Sequence, residues 1–207
     1  MTQSPPPVRR GRGRRPADEV RREVLRAAGE LLLAEGMAGF TVEKVAALAG
    51  ASRVTLHKWW PSRGALALEG YFSVVGPTLA FPDTGDIAAD LTTQVRAFVR
   101  LMRDTPAGRV VPELIGQAQT DPELSAVYRE RYSAPRRALA VEALERARER
   151  GQLRADVDPE VVVDQLWGAC YHRLLIPDQP LTEEFAEALV ANLLTGIARP
   201  RPAGSRR

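Results

Sequence analysis

The 207-residue chain has little cysteine, little histidine and almost no lysine: one Cys, two His, and only Lys44 and Lys58 among 29 basic residues. The single thiol, Cys170, excludes an internal disulfide and a thiolate metal cluster, and points to a reducing, cytoplasmic setting. With histidine only at His57 and His172, no nucleophile–base–orienter set can be assembled, so an enzyme is not expected. Cys170 and His172 lie two apart, which on a helix sends them to different faces rather than to one metal; neither a metal nor a cofactor is expected. Aromatics make up 6% of the chain. No apolar run is long enough to span a bilayer, and the charged N-terminus lacks the apolar stretch of a secretion signal, which argues against a membrane partner.

What is present is arginine, and it is concentrated at the ends. The net charge is +3, yet residues 1–17 and 199–207 hold arginine and no acid. Residues 18–70 are balanced, so the acidic excess falls in residues 71–198. "RRGRGRRP" near the start carries Arg9, Arg10, Arg12, Arg14 and Arg15 with alternating glycines. It reads either as an arm that lies in a DNA minor groove or as a solvated tail. The basic stretch 199–207 has the same ambiguity.

Between these ends the pattern is all-α. Val20, Val24, Ala27, Ala28, Leu31 and Leu32 recur at helical spacing up to a stop at Gly36. A short helix follows over "TVEKVAALAG", with Thr41 as N-cap and Gly50 as terminator. The next, over "SRVTLHKWW", is ended by Pro61, and Ser62 caps a fourth through "RGALALEGYFSVV". The loop "FPDTGD" separates these from a second set of helices. "DPELSAVYRERY" and "DPEVVVDQLWGACYHRLLI" both begin with an N-cap aspartate, a first-turn proline and an acid at the positive end of the helix dipole.

A short helix, a tight "GAS" turn and a second short helix form a helix-turn-helix pattern, whose second helix can enter a major groove. At about 100° per residue, Leu56 and Trp60 face one side of that helix, and Val54 and Lys58 the other. Trp60 is therefore the core anchor, with Trp59 at the edge. Val54 suits a thymine methyl, Thr55 and Lys58 suit base edges or phosphates, and Trp59 and Arg63 suit phosphates. The alternative in another class is a helical ligand-binding or enzymatic protein with a vestigial helix-turn-helix.

"FTVEKVAALAGASRVTLHKWWPSRGALALEGYF", continued backwards through "VLRAAGELLLAEGMAGF", resembles the DNA-binding domain of the TetR/AcrR family of bacterial transcriptional regulators. His57 stands where that family usually has tyrosine, and Arg63 where it usually has lysine. The resemblance implies a basic arm over 1–17, a DNA-binding domain over 18–72, a helical ligand-binding and dimerisation domain over 73–198, and a tail over 199–207. It implies a homodimeric repressor on a palindromic double-stranded DNA operator, released by a small molecule whose identity is open. In a repressor of this type Val54, Thr55 and Lys58 read the major groove, and Thr41, Ser52, Arg53, His57, Trp59 and Arg63 position it on phosphates. Phe98, Met102, Trp167, Tyr171 and His172 are candidates to line the ligand cavity, and Phe185, Leu189 and Leu193 to form the dimer interface. The acidic balance of residues 71–198 favours a cationic or neutral ligand, unless arginines such as Arg96, Arg100 and Arg103 reverse it locally.

Overall fold

The computed structural model describes residues 15–76, 81–176 and 178–196. Within them the chain forms α1 (Ala17–Gly39), α2 (Val42–Ala49), α3 (Arg53–Trp59), α4 (Arg63–Val75), α5 (Ile87–Asp104), α6 (Ala107–Ala118), α7 (Pro122–Tyr128), α8 (Ala134–Glu149), α9 (Pro159–Leu175) and α10 (Glu183–Thr195). No helix among the described residues is long and apolar enough to cross a membrane.

The helix starts are set by local chemistry. Thr41, Ser52 and Ser62 each accept from a backbone N–H three residues on, and Asp121 and Asp158 cap α7 and α9 with a proline at the first turn. Each cap satisfies a donor that the helix itself leaves unpaired. α1 runs along α4, and the two cross closely because Gly29 faces Gly70: a Cβ on Gly29 would stand 2.4 Å from the Gly70 carbonyl oxygen. Val24, Ala28 and Leu32 of α1 close the N-terminal core with Phe40, Val45, Leu56 and Trp60.

α1 loses helical geometry at Gly36, where φ is +67°. That break is finished from the second half of the chain: Glu113 of α6 accepts from the Met37 N–H at 2.9 Å, and Arg109 Nη2 donates to the Leu33 carbonyl at 3.5 Å. α10 packs along α5, where Arg100 donates to the Glu183 carboxylate at 2.6 Å and Arg96 pairs with Glu187. Arg96, Arg100 and Arg103 are all committed to carboxylates, so none supplies a free charge to a cavity.

Two prolines sit inside helical runs. Pro112 lies within α6, a helix the sequence pattern did not reveal. Pro135 follows a π-helical turn, Arg129–Ser133, that joins α7 to α8 without leaving helical backbone. α7, the π-helical turn and α8 thus make one continuous rod. Proline lacks the N–H that would bond four residues back and crowds that carbonyl; a wider turn just before it accommodates both defects.

Candidate nucleic-acid interface and ligand cavity

The turn between α2 and α3 depends on Gly50, whose φ of +58° and ψ of +39° lie in the left-handed region that side chains with a Cβ avoid. It sends α3 off at an angle with Ser52 as its cap. Leu56 and Trp60 are inward, 1% and 2% exposed, as the helical spacing predicts. Trp59 is half-buried and meets Trp60 edge to face, with ring centroids 5.6 Å apart. Arg21, paired with Glu69, lies 5.4 Å from the Trp60 ring centre. The adjacent tryptophans thus divide their work: Trp60 fixes the helix and Trp59 borders its outer surface.

On that outer surface Val54 is 80% exposed, the most exposed of the large apolar side chains described. Thr55 is half-buried; Arg53, His57 and Lys58 are exposed. Arg53 pairs with Glu43 of α2 at 2.6 Å, whereas Lys58 has no hydrogen-bond or ion-pair partner among the described residues. The hydroxyls of Thr41 and Ser52 accept from backbone N–H groups. Thr41 thereby keeps its own O–H for an outside acceptor, while the Ser52 and Thr55 hydroxyls share a hydrogen bond at 2.9 Å. Arg63 starts α4 and only grazes the Phe40 carbonyl, at 3.5 Å. All nine residues fall on or around the exposed side of the helix-turn-helix.

Of the arm arginines, Arg9, Arg10, Arg12 and Arg14 lie outside the described residues. Arg15 is redirected. Its Nη2 donates to the Gly50 carbonyl at 2.7 Å and the Ala49 carbonyl at 3.4 Å, at the C-terminus of α2. A cation there meets the negative end of the helix dipole, so Arg15 ties the chain to the turn rather than extending towards a groove.

In the second half of the molecule, α5, α7, α8 and α9 enclose a cavity of about 380 Å³. Phe98, Trp167 and Tyr171 line it, together with Phe81, Tyr128 and Tyr132, so half of the chain's twelve aromatics gather here. Phe98 meets Tyr171 edge to face at 5.4 Å, and the Tyr132 and Tyr171 hydroxyls are 3.4 Å apart. Burial pushes the Tyr128 phenol up to about 12 and the Tyr171 phenol well above its ordinary value. Both are therefore protonated at neutral pH.

Two of the cavity candidates are misplaced. Met102 is buried one turn beyond Phe98 and packs in the core instead. His172 is exposed, because it lies about 100° round α9 from the inward Tyr171. Cys170 is buried, which pushes its thiol up to about 12, and it points away from His172.

Residues that the sequence did not single out complete the cavity: Tyr128, Tyr132, Arg136 and Arg137, all on the rod containing the π-helical turn. Tyr128 and Tyr132 are four apart, the same spacing that marked Trp167 and Tyr171. Phe72 of α4 stacks on Tyr132, with centroids 3.9 Å apart and planes 7° from parallel. One ring stack therefore joins the cavity wall to the helix that follows the helix-turn-helix.

Phe185, Leu189 and Leu193 are half-buried and rest against this chain's own core. Arg173 lies 3.8 Å from the Phe185 ring centre. The outward side of α10 carries Glu184, Ala188, Ala191 and Thr195, and that of α9 carries Val161, Gln165, Gly168, His172 and Leu175, each at alternating spacings of three and four.

A capped recognition helix with an exposed, cation-bearing face, joined to a helical body with an aromatic cavity, defines a helix-turn-helix DNA-binding regulator. Residues 24–69 match the family described as bacterial regulatory proteins, tetR family, and residues 81–193 match the tetracyclin repressor-like C-terminal domain. The chain belongs to the TetR family of transcriptional regulators. It is 35% identical to the HTH-type transcriptional regulator YdeS of Bacillus subtilis over 184 residues, 88% of this chain and 92% of that protein. It is 29% identical to the DNA-binding transcriptional repressor TetR of Mycobacteroides abscessus over 180 residues, 86% of this chain and 93% of that one. The crystal structure of the TetR family transcription regulator SCO0332 is similar at 62% identity with a TM-score of 0.83, covering 87% of this chain and all of that one.

Proposed function

We propose that this DNA-binding regulator is a cytoplasmic homodimeric repressor, that it sits on a palindromic operator, and that a small molecule in the aromatic cavity releases it. The observation that carries the reading is the Phe72–Tyr132 stack, which gives a cavity occupant mechanical access to α4. Repression is supported by the name of the Mycobacteroides abscessus relative.

On DNA, Val54, Thr55 and Lys58 face the major groove. The exposed Val54 suits a thymine methyl, and the unpartnered Lys58 a base acceptor or a phosphate. Thr41, Ser52, Arg53, His57, Trp59 and Arg63 set the register on phosphates, with Arg53 exchanging Glu43 for a phosphate. The arm bearing Arg9, Arg10, Arg12 and Arg14 follows the adjacent minor groove from the anchor made by Arg15.

The second copy docks on the outward stripes of α9 and α10. Val161, Leu175 and Ile176 are 49%, 42% and 53% exposed at that side, and Gly168, Ala188 and Ala191 permit close helix approach. A two-fold pairing sets two recognition helices on half-sites about 34–36 Å apart.

Release requires that the ligand favour a dimer whose helices no longer match that spacing, because equal affinity for both states shifts nothing. The test is mobility shift with genomic fragments, followed by ligand titration with and without the selected site. Selective binding to a few palindromic sites supports the operator reading. A protein that binds no fragment is instead a helical ligand binder with a vestigial helix-turn-helix. By reciprocity, saturating operator must weaken ligand binding by the same factor as ligand weakens operator binding.

A further inference from the structure

The polar groups of the cavity identify the chemistry of its occupant. This step rests on reading the cavity as the effector site. Tyr128, Tyr132 and Tyr171 all line the cavity, and the one hydrogen bond among their hydroxyls, Tyr132–Tyr171 at 3.4 Å, can absorb only one of the three O–H donors. Burial pushes the phenols of Tyr128 and Tyr171 up, which keeps both protonated at neutral pH. The chain of hydroxyls therefore ends in a donor whose acceptor is not another member of the cluster.

The charged lining tilts the same way. Asp164 is the lining carboxylate, and it accepts from Arg137 Nη1 at 2.6 Å; Glu160 pairs with Arg137 as well. Arg136 is left without a carboxylate. Its guanidinium lies 4.8 Å from the Tyr132 ring centre, half-buried, and forms no ion pair among the described residues. Since Phe72 covers one face of Tyr132, the guanidinium occupies the other, on the cavity side. A guanidinium is donor-only, with two parallel N–H groups matched to a carboxylate. Surplus phenol and surplus guanidinium together make one donor-rich end in a cavity whose lining also holds the rings of Phe81, Phe98 and Trp167, aliphatic side chains, Gln94 and Ser133.

We infer that the effector is a planar aromatic carboxylate, its acid group held between Arg136 and the tyrosine hydroxyls and its rings packed among Phe98, Trp167 and Tyr171. The overall acidity of residues 71–198, which favours a cation, is overridden locally because the acids are spent on other arginines. About 380 Å³ accommodates a two-ring acid. The rings of the wall meet one another edge to face rather than in stacks, which favours a flat guest presenting faces and edges over a flexible aliphatic chain.

The test uses 2-naphthoate as probe, with 2-naphthamide as its neutral counterpart, 2-naphthylmethylamine as its cation and decanoate as an aliphatic acid. Binding to the full chain, without DNA, is measured by calorimetry. The naphthoate should bind about tenfold or more tighter than the amide, as a charge-assisted pair implies. The amine and decanoate should both be weaker than the naphthoate. Arg136→Gln should abolish the preference for acid over amide by weakening naphthoate about tenfold or more, and Arg136→Lys should retain most of it. Equal binding of acid and amide, tighter binding of the amine or decanoate, an unchanged preference in Arg136→Gln, or no binding of any probe would each overturn the assignment. Naphthoate binding with the expected preference but no effect on operator affinity would uphold the ligand class and refute ligand-driven release.

Discussion

The recognition helix and the aromatic cavity hold their working groups in opposite ways. On α3 the groups offered outward stand in water, and the helix is held from behind by two side chains, Leu56 and Trp60. In the cavity the working groups bind one another first, through tyrosine hydroxyls, ring edges and the Arg136–Tyr132 contact. A convex site meeting a rigid duplex needs only orientation, because the phosphate backbone supplies affinity. A concave site for a small molecule must be preorganised, because its few contacts supply nearly all the binding energy. The contrast predicts that single substitutions at α3 separate binding from folding, whereas substitutions around the cavity tend to affect both.

The largest effect should come from removing the anchor that the exposed face relies on. Trp60→Ala deletes a side chain 2% exposed and should lower unfolding free energy by about 3–5 kcal/mol in chemical denaturation. The neighbouring Trp59→Ala, half-buried, should cost clearly less. Equal losses at the two positions would mean that the division between anchor and border does not hold.

Next in size is the dimer. Ala188→Glu and Ala191→Glu place a carboxylate on the outward side of α10, where each copy would face the other, and light scattering should report monomers with an unchanged helical spectrum. Leu189→Glu should instead lower the melting temperature, because Leu189 rests on its own chain's core. A well-folded monomer from Leu189→Glu would restore the interface that the sequence suggests.

That exchange shows where the sequence was readable. α3 could be oriented from spacing alone because seven residues and one proline settle it locally. On α10 the spacing singles out the largest apolar residues, Phe185, Leu189 and Leu193, as the partner-facing set. In the structure Ala186 and Val190 fill the buried face of α10, while Phe185, Leu189 and Leu193 stand half-buried beside it and a smaller alanine stripe lies outside. α6 was invisible because Pro112 and Gly108 argue against a helix; yet Gly108 is required, since a Cβ there would come within 1.9 Å of the Met102 carbonyl oxygen. The cavity was half visible. Phe98, Trp167 and Tyr171 announce themselves as aromatics on amphipathic helices, but Arg136 looks like any surface arginine until Tyr132 and the pairing of Arg137 with Asp164 are seen together.

A smaller effect, and a sharper one, is expected at Lys58. It has no partner to lose on folding, so Lys58→Ala should leave the melting temperature unchanged. If Lys58 reads a base edge, discrimination at one base pair of each half-site should relax by about tenfold while other positions keep theirs. If it meets a phosphate, binding should weaken evenly across sequences and the salt dependence should become shallower by about one unit of slope. Fluorescence anisotropy against single-base operator variants at several salt concentrations separates the two. A fall in melting temperature would place Lys58 in the fold rather than at the interface.

The smallest effect tests the one place where the two regions meet. Phe72→Leu removes a ring from the stack on Tyr132 but keeps an apolar side chain over it. Operator affinity of the free protein should change little, because Phe72 is on the far side of α4 from the recognition face. Ligand affinity should also change little, because Phe72 is not part of the wall of the aromatic cavity. What should fall is the coupling between them, by about 0.5–1.5 kcal/mol, the value of a well-placed aromatic pair, out of the roughly 1–3 kcal/mol typical of such switches. The measurement is a four-state cycle: operator affinity with and without saturating ligand, in wild type and variant. A variant that retains the full ligand-induced loss of operator affinity would show that the signal leaves the cavity by another route. The contact of α6 with the broken end of α1, through Glu113 and Met37, would then be the next to cut, with Glu113→Gln.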